Sequence, residues 1–249
     1  LAAVRTMELY VRWITNVVAM TEGGRIQPVY GIGLEAQLTE GVAEKLPGYL
    51  GMGPVRIGNQ AHEHDQHDTY GNIILGASQA FFDQRLFLEV GKAEFQRLES
   101  VGEMAYKLHD QPDAGLWELR SRARVHTSSS LMCWAGCDRL AKIAAHLGFS
   151  DRAAFWRQRA AGIKAVILKE AWSEERQAFV ESFGGSTLDA SVLLMSEVGF
   201  IDPMDERYIS TVAQMEKTLG RGPFMMRYEE ADDFGVPETT FNVCAFWRV

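Results

Sequence analysis

Apolar residues recur three and four apart along almost the whole chain, and this helical period restricts the fold more than any other feature. Val4, Met7, Val11, Ile14 and Val18 form a first stripe that ends near Glu22-Gly23-Gly24. Tyr70, Ile73, Ile74, Ala77 and Phe81 form a second, and Phe95, Leu98, Val101, Ala105 and Leu108 a third that closes before Pro112. Leu131, Trp134, Ala135, Ile143, Ala144 and Leu147 follow, stopped by Gly148. Ser150 is then the predicted cap of a helix carrying Phe155, Ile163, Val166 and Ile167. A shorter apolar helix is expected over 188–198. Asp202 as N-cap with Pro203 at the first helical position predicts another, with Tyr208, Val212, Met215 and Leu219 inward, and a last helix is expected to start near Glu238. That makes eight helices. Strand signals are confined to 178–183 and 224–228, so a parallel sheet is ruled out.

Two all-helical architectures suit this pattern: a bundle, or a ring of antiparallel helix hairpins with an inner and an outer layer. Bundle connections run about two to eight residues, whereas 23–61 is long, glycine-rich and carries Tyr30 and Tyr49. Gly148-Phe149-Ser150, by contrast, is a short turn. Alternating long and short connections favour the ring, with the long loops gathered on one face where a site can be built. With 249 residues, 47% hydrophobic, the chain can bury a large core. A net charge of -8 with no Lys/Arg run argues against nucleic acid as a partner. No apolar stretch reaches the roughly 20 residues that span a bilayer, so a membrane partner is not expected. Cys133, Cys137 and Cys244 are too few for a disulfide framework and read as buried small hydrophobes, which fits a reducing, cytoplasmic compartment. Oligomeric state leaves no sequence signal.

The most informative local pattern is Gly115-Leu116-Trp117-Glu118-Leu119-Arg120, just after the turn-forming Gln111-Pro112-Asp113-Ala114-Gly115. An apolar neighbour can keep a carboxylic acid protonated near neutral pH, and an arginine can bind substrate oxygens. The same residues also read as an ordinary helix start with Glu118 paired to Arg120. Tyr30, Tyr70, Trp117, Trp134, Tyr228 and Trp247 lie in or next to loops and helix starts, where aromatic rings can stack on sugar faces, although each alone also reads as core. Their company with Glu118, Arg120, Arg227 and Glu238 points to a carbohydrate. In His62-Glu63-His64-Asp65-Gln66-His67-Asp68, the side chains of His64, His67 and Asp68 could share a face and hold a metal ion. No second ligand cluster follows downstream, so no metal is expected.

Taken together, several motifs carry a family resemblance. They are Pro54-Val55-Arg56-Ile57-Gly58-Asn59, Gln66-His67-Asp68-Thr69-Tyr70-Gly71, the Glu118 hexapeptide, His126-Thr127-Ser128 with Met132-Cys133-Trp134, Leu188-Asp189-Ala190-Ser191, Arg227-Tyr228, and Glu238-Thr239-Thr240-Phe241 with Phe246-Trp247. In this order they resemble glycoside hydrolase family 15, which holds glucoamylases, glucodextranases and trehalases. The resemblance implies an all-α (α/α)6 toroid, here incomplete at about eight of twelve helices, with residues 1–249 as part of the catalytic domain. A β-sandwich domain and a first helix with its Trp-Leu-Arg-Asp signature would precede the chain, and further helices would follow it. Glu118 matches the family's general acid, Trp117 lines the same subsite, Arg120 and Arg227 match sugar ligands, and Gln66, Asp68 and Tyr70 fall in a cleft-lining segment. The general base is expected beyond Val249, with Glu238 contacting substrate from a helix start, and the 249-residue piece alone is expected to be inactive. Asn72 departs from the acidic residue that relatives often have after Tyr-Gly.

The implied reaction is inverting hydrolysis of an α-glucoside, needing no metal and no cofactor, with carboxyl groups about 6.5–9.5 Å apart to admit a water. The expected partner is a small oligosaccharide substrate, trehalose being preferred over other small α-glucans on resemblance. The alternative is a non-catalytic carbohydrate-binding toroid. A terpene cyclase would need an aspartate-rich helix, and Asp232-Asp233 is too short for that.

Overall fold

The first stripe forms α1 (Ala2–Thr21), which buries Val11, Ile14, Val17 and Val18. A computed structural model describes residues 2–21, 24–86, 90–120, 122–233 and 235–248, so the expected helix end at Glu22-Gly23 and the chain end at Val249 lie outside the described residues. Next come α2 (Asp68–Phe82), α3 (Lys92–Leu108), α4 (Thr127–His146) and α5 (Ser150–Glu170), each on its predicted stripe. The segment expected as a helix over 188–198 opens as a 3₁₀ turn, Ala190–Leu193, and continues as α6 (Leu194–Glu197). Two more helices follow, α7 (Glu206–Leu219) and α8 (Asn242–Trp247), giving eight α-helices among the described residues. The strands are two-residue antiparallel pairs: β1 (Gly41–Val42) with β2 (Arg56–Ile57), β3 (Trp172–Ser173) with β4 (Ala178–Phe179), and β5 (Gly220–Arg221) with β6 (Phe224–Met225).

Residues 127–137 of α4 are all buried, which is the mark of an inner helix enclosed on every side. It packs on α2, α3 and α5, whereas α3 and α5 keep charged outer faces. This two-layer arrangement is that of an incomplete (α/α)6 toroid. Cys133 and Cys137 are free thiols wholly inside it, and Cys244 is buried in α8. The tightest crossing is between α2 and α4. A Cβ on Gly71 would run into the Met132 carbonyl oxygen, and one on Gly136 would lie 3.1 Å from the Gly71 Cα, so the two backbones are in direct contact there.

Three helix starts differ from expectation. Ser150 is the first residue of α5 rather than its cap; Phe149 takes the cap position with no side-chain bond. The three-residue connection is closed instead by the backbone, through Phe149 N–H to Ala144 O at 2.8 Å. Asp202 does not cap α7. Its carboxylate accepts Met204 N–H at 2.8 Å and holds a separate turn, and Asp205 caps the helix by accepting Arg207 N–H at 2.9 Å. Glu238 does not start a helix either. α8 begins at Asn242, with Phe241 extended and its N–H taken by Met225 O of β6 at 2.8 Å, and Glu238 stands exposed in the non-helical segment before it.

Candidate active site

Glu118 sits on a tight turn whose base is a backbone exchange between Asp113 and Arg124, with N···O distances of 2.9 and 3.1 Å. Within this loop Ala114 N–H donates to Asp65 O, Glu118 N–H to Gly115 O and Leu119 N–H to Ala114 O. Leu119 is buried and plugs the loop into the protein. Gly115 has φ 68 and its missing side chain is needed, since a Cβ would come within 2.7 Å of the His126 ring. Glu118 itself has φ 58, the left-handed region that a non-glycine residue enters only at a cost. Its carboxylate is exposed, so the indole of Trp117 does not bury it as the sequence pattern suggested.

That indole is committed elsewhere. Trp117 Nε1–H donates to Asp189 Oδ2 at 2.7 Å, and the ring packs against Tyr228, Phe241 and Trp247 with centroids 5.8, 6.0 and 6.1 Å away. The Arg227 guanidinium lies 5.6 Å from the Trp117 ring centroid and 5.1 Å from that of Tyr228. Asp189 is buried at the start of the 3₁₀ turn. Burial pushes its carboxyl up to about 6, against hydrogen bonds from Ser191 and Trp117 that favour the ion. The result is an aromatic platform with a half-exposed cation over it, directly after which the chain turns to present Glu118.

Arg120 is not paired with Glu118. Its guanidinium donates to Gln60 Oε1 at 2.8 Å and Glu40 Oε1 at 3.0 Å, and its N–H donates to Asp233 Oδ2 at 2.7 Å. The Arg120 hydrogen bond holds the Glu40 carboxyl below its ordinary range. Arg120 therefore ties the long loop before α2 to the Glu118 turn.

Gln66 and Asp68 are both buried beside this turn. Gln66 Nε2 donates to Gly115 O at 2.9 Å. Asp68, the first residue of α2, accepts from Asn72 Nδ2 at 3.0 Å through Oδ2, while its buried Oδ1 has no partner among the described residues. Both residues line a cavity of about 210 Å³ with Asn72, Trp13 and Tyr30. Tyr70 is buried with its hydroxyl accepting Ile26 N–H at 3.3 Å. Among the described residues no three His, Cys, Asp or Glu side chains are grouped to hold a metal ion; His67 donates its backbone N–H to Asp113 Oδ2 at 2.7 Å, and its ring Nδ1 lies 3.2 Å from Gln111 O.

Burial, then the nearby charge of Asp113, push the Asp68 carboxyl up to about 7. The folded state thus holds this proton more tightly than the unfolded chain, where an aspartate titrates near 3.9. The stability this provides is complete below about pH 4 and is lost as pH rises toward 7. Asp68→Asn, which is neutral throughout, is expected to match the parent near pH 4 and to exceed it by up to about 4 kcal/mol at pH 8 in urea titrations. A difference that stays flat between those pH values would remove the buried-acid assignment.

The structure therefore joins Trp117 with Arg227, and Gln66 with the Glu118 turn, and it puts Asp68 in a cavity with Gln66. Among the described residues no hydrogen bond or ion pair links Glu238 to them. Asp113, His126, Glu181 and Asp189 were not singled out as site residues, yet all are buried around the turn. His126 Nδ1 lies 3.2 Å from Glu181 Oε1. Burial works against the charged form of Glu181, but His126, Arg124 and Arg122 outweigh it and hold that carboxyl down to about 2. The sequence signal for them was the position of Asp113 in the turn-forming segment and of His126 and Asp189 in the family motifs; Glu181 had none.

The profile described as glycosyl hydrolases family 15 matches residues 4–249. A trehalase of Mycobacterium tuberculosis is 36% identical over 227 residues, covering 90% of this chain and 33% of its own. Among solved structures, a glycosidase superposes with TM-score 0.67 at 18% identity, over 96% of this chain and 62% of its own. A bacterial glucoamylase complexed with acarbose superposes with TM-score 0.57 at 13% identity, over 74% of this chain and 32% of its own. At such identities these two structures speak for the fold alone. The chain belongs to glycosyl hydrolases family 15, and it spans about a third of the length of the curated relatives it matches. Among the described residues no helix is long and apolar enough to cross a membrane.

Proposed function

We propose that the chain forms the general-acid side of the cleft in an inverting α-glucoside hydrolase acting on trehalose or small α-glucans. One observation carries this reading: Glu118 is held in a left-handed conformation on a hydrogen-bonded turn, next in sequence to Trp117 whose ring carries Arg227, and it is exposed where a ligand can meet it. Strain of this kind costs about 1–3 kcal/mol and persists where the surroundings enforce it. Glu118 gives its proton to the bridging oxygen. The C1–O bond then breaks with its electron pair staying on that oxygen, and a second carboxylate takes a proton from the water that adds to C1 from the opposite face. Trp117 and Arg227 are the proposed platform and hydroxyl ligand, with Gln66, Asp68, Tyr70 and Arg120 shaping the cleft. Glu238 is proposed to touch the substrate, with the base supplied by sequence outside residues 1–249. The trehalase relative favours trehalose within this class.

Proton NMR of trehalose hydrolysis by the full-length protein tests the reading. Inversion at one of two α-linked centres releases α- and β-glucose in equal amounts at the earliest times. Two α-glucose molecules would overturn the inverting mechanism. Calorimetric binding of trehalose or maltose without any turnover would instead mean a carbohydrate-binding toroid.

A further inference from the structure

The turn that carries Glu118 is gripped by one buried carboxylate that points away from the exposed face. Asp113 is 1% exposed, and both of its oxygens are occupied. Oδ1 accepts Gly115 N–H at 3.2 Å, while Oδ2 accepts His67 N–H and Ser129 Oγ–H, each at 2.7 Å. Its own N–H and C=O close the base of the loop on Arg124. A single side chain therefore joins the start of α2, the first turn of α4 and the residue at which the chain enters its left-handed turn. The other face of Gly115 is held by Gln66 through the carbonyl and by the His126 ring behind it. A carboxylate suits this place because three donors converge on it; an amide could accept through only one of its two polar atoms.

We infer that Asp113 is a positioning residue for proton transfer: it sets where the Glu118 carboxyl stands relative to the glycosidic oxygen without touching substrate. The inference rests on the assignment of Glu118 as general acid. A displacement of about 1 Å in such a group can cost on the order of a hundredfold in rate. The loss should follow how much the leaving group needs a proton, since fluoride departs without one whereas a sugar alkoxide does not.

The test uses the full-length protein, with trehalose or maltose and α-glucosyl fluoride as paired substrates. Asp113→Asn is expected to lower kcat on the disaccharide about ten- to a hundredfold with little change in KM, and to change α-glucosyl fluoride hydrolysis by less than about threefold. Ser129→Ala removes one donor to the same carboxylate from outside the turn; it should lower the melting temperature while leaving the ratio of the two rates unchanged. If Asp113→Asn slows both substrates equally, or slows neither, Asp113 only supports the fold and the inference fails. Should Asp113→Asn fail to fold, Gly115→Ala displaces the same turn against His126 and must give the same selective loss. Glu118→Gln in the same pair of assays separates the two claims. If that variant has no leaving-group dependence, the acid assignment itself falls; if it has and Asp113→Asn has not, only the positioning role is lost.

Discussion

Glu118→Gln in the full-length protein is expected to reduce turnover of trehalose or maltose by about 10²–10⁴-fold while leaving sugar affinity within a few-fold. Glutamine keeps the shape and a hydrogen-bond donor but has no proton to give, so binding survives and chemistry does not. A companion variant separates chemistry from folding. Glu118 has φ 58, and Glu118→Gly removes the penalty of a side chain in that region while adding freedom to the unfolded chain. Glu118→Gly should therefore be as stable as the parent or more so, by up to about 1 kcal/mol, and as inactive as Glu118→Gln. Stability gained together with activity lost is the signature of a residue held in strain for function. Near-normal turnover of Glu118→Gln would dismiss the assignment, and a Glu118→Gly protein that is clearly less stable would dismiss the strain.

Gly71→Ala is expected to be the most damaging single methyl group in the described chain. Overpacking a core commonly costs about 1–3 kcal/mol because side chains can give way. At Gly71 the obstacle is the Met132 carbonyl of α4, and the opposing contact is Gly136, so only a shift of whole helices makes room. A loss of about 3 kcal/mol or more is expected in urea titrations, a large part of the 5–15 kcal/mol that keeps a typical domain folded. Gly162→Ala is the control. A Cβ there meets nothing within 4 Å on the face of α5, so helix propensity should make it neutral or stabilising by up to about 1 kcal/mol. Equal stability of Gly71→Ala and the parent would mean that α2 and α4 are not in backbone contact.

Much of the frame was legible because it is local. The stripe of Phe95, Leu98, Val101, Ala105 and Leu108 is α3 nearly residue for residue, since a three-and-four period needs no distant partner to be read. Starts of helices were less legible. Ser150, Asp202 and Glu238 each had the chemistry of a helix start, and each lost that place to bonds formed by the fold: the backbone bonds Phe149 to Ala144 and Phe241 to Met225, and the side-chain cap that Asp205 gives α7. The carboxylate that matters most to the proposal, Glu118, was found from its neighbours in sequence. Asp113 and Gln66, which hold its turn, looked like a turn former and a cleft residue, because their partners lie in other elements.

By itself, then, the order of apolar residues and motifs determined that this is a helical ring of glycosyl hydrolases family 15 with Glu118 on a loop, since periodicity and motif order are written along one dimension. Tertiary structure alone decided that Arg120 answers Glu40 and Gln60 rather than Glu118, that Trp117 is locked by Asp189, and that three donors meet on Asp113. Hydrogen bonds act over about 3 Å in space, whatever the separation along the chain, so the partners of a polar side chain are known only once the chain has folded.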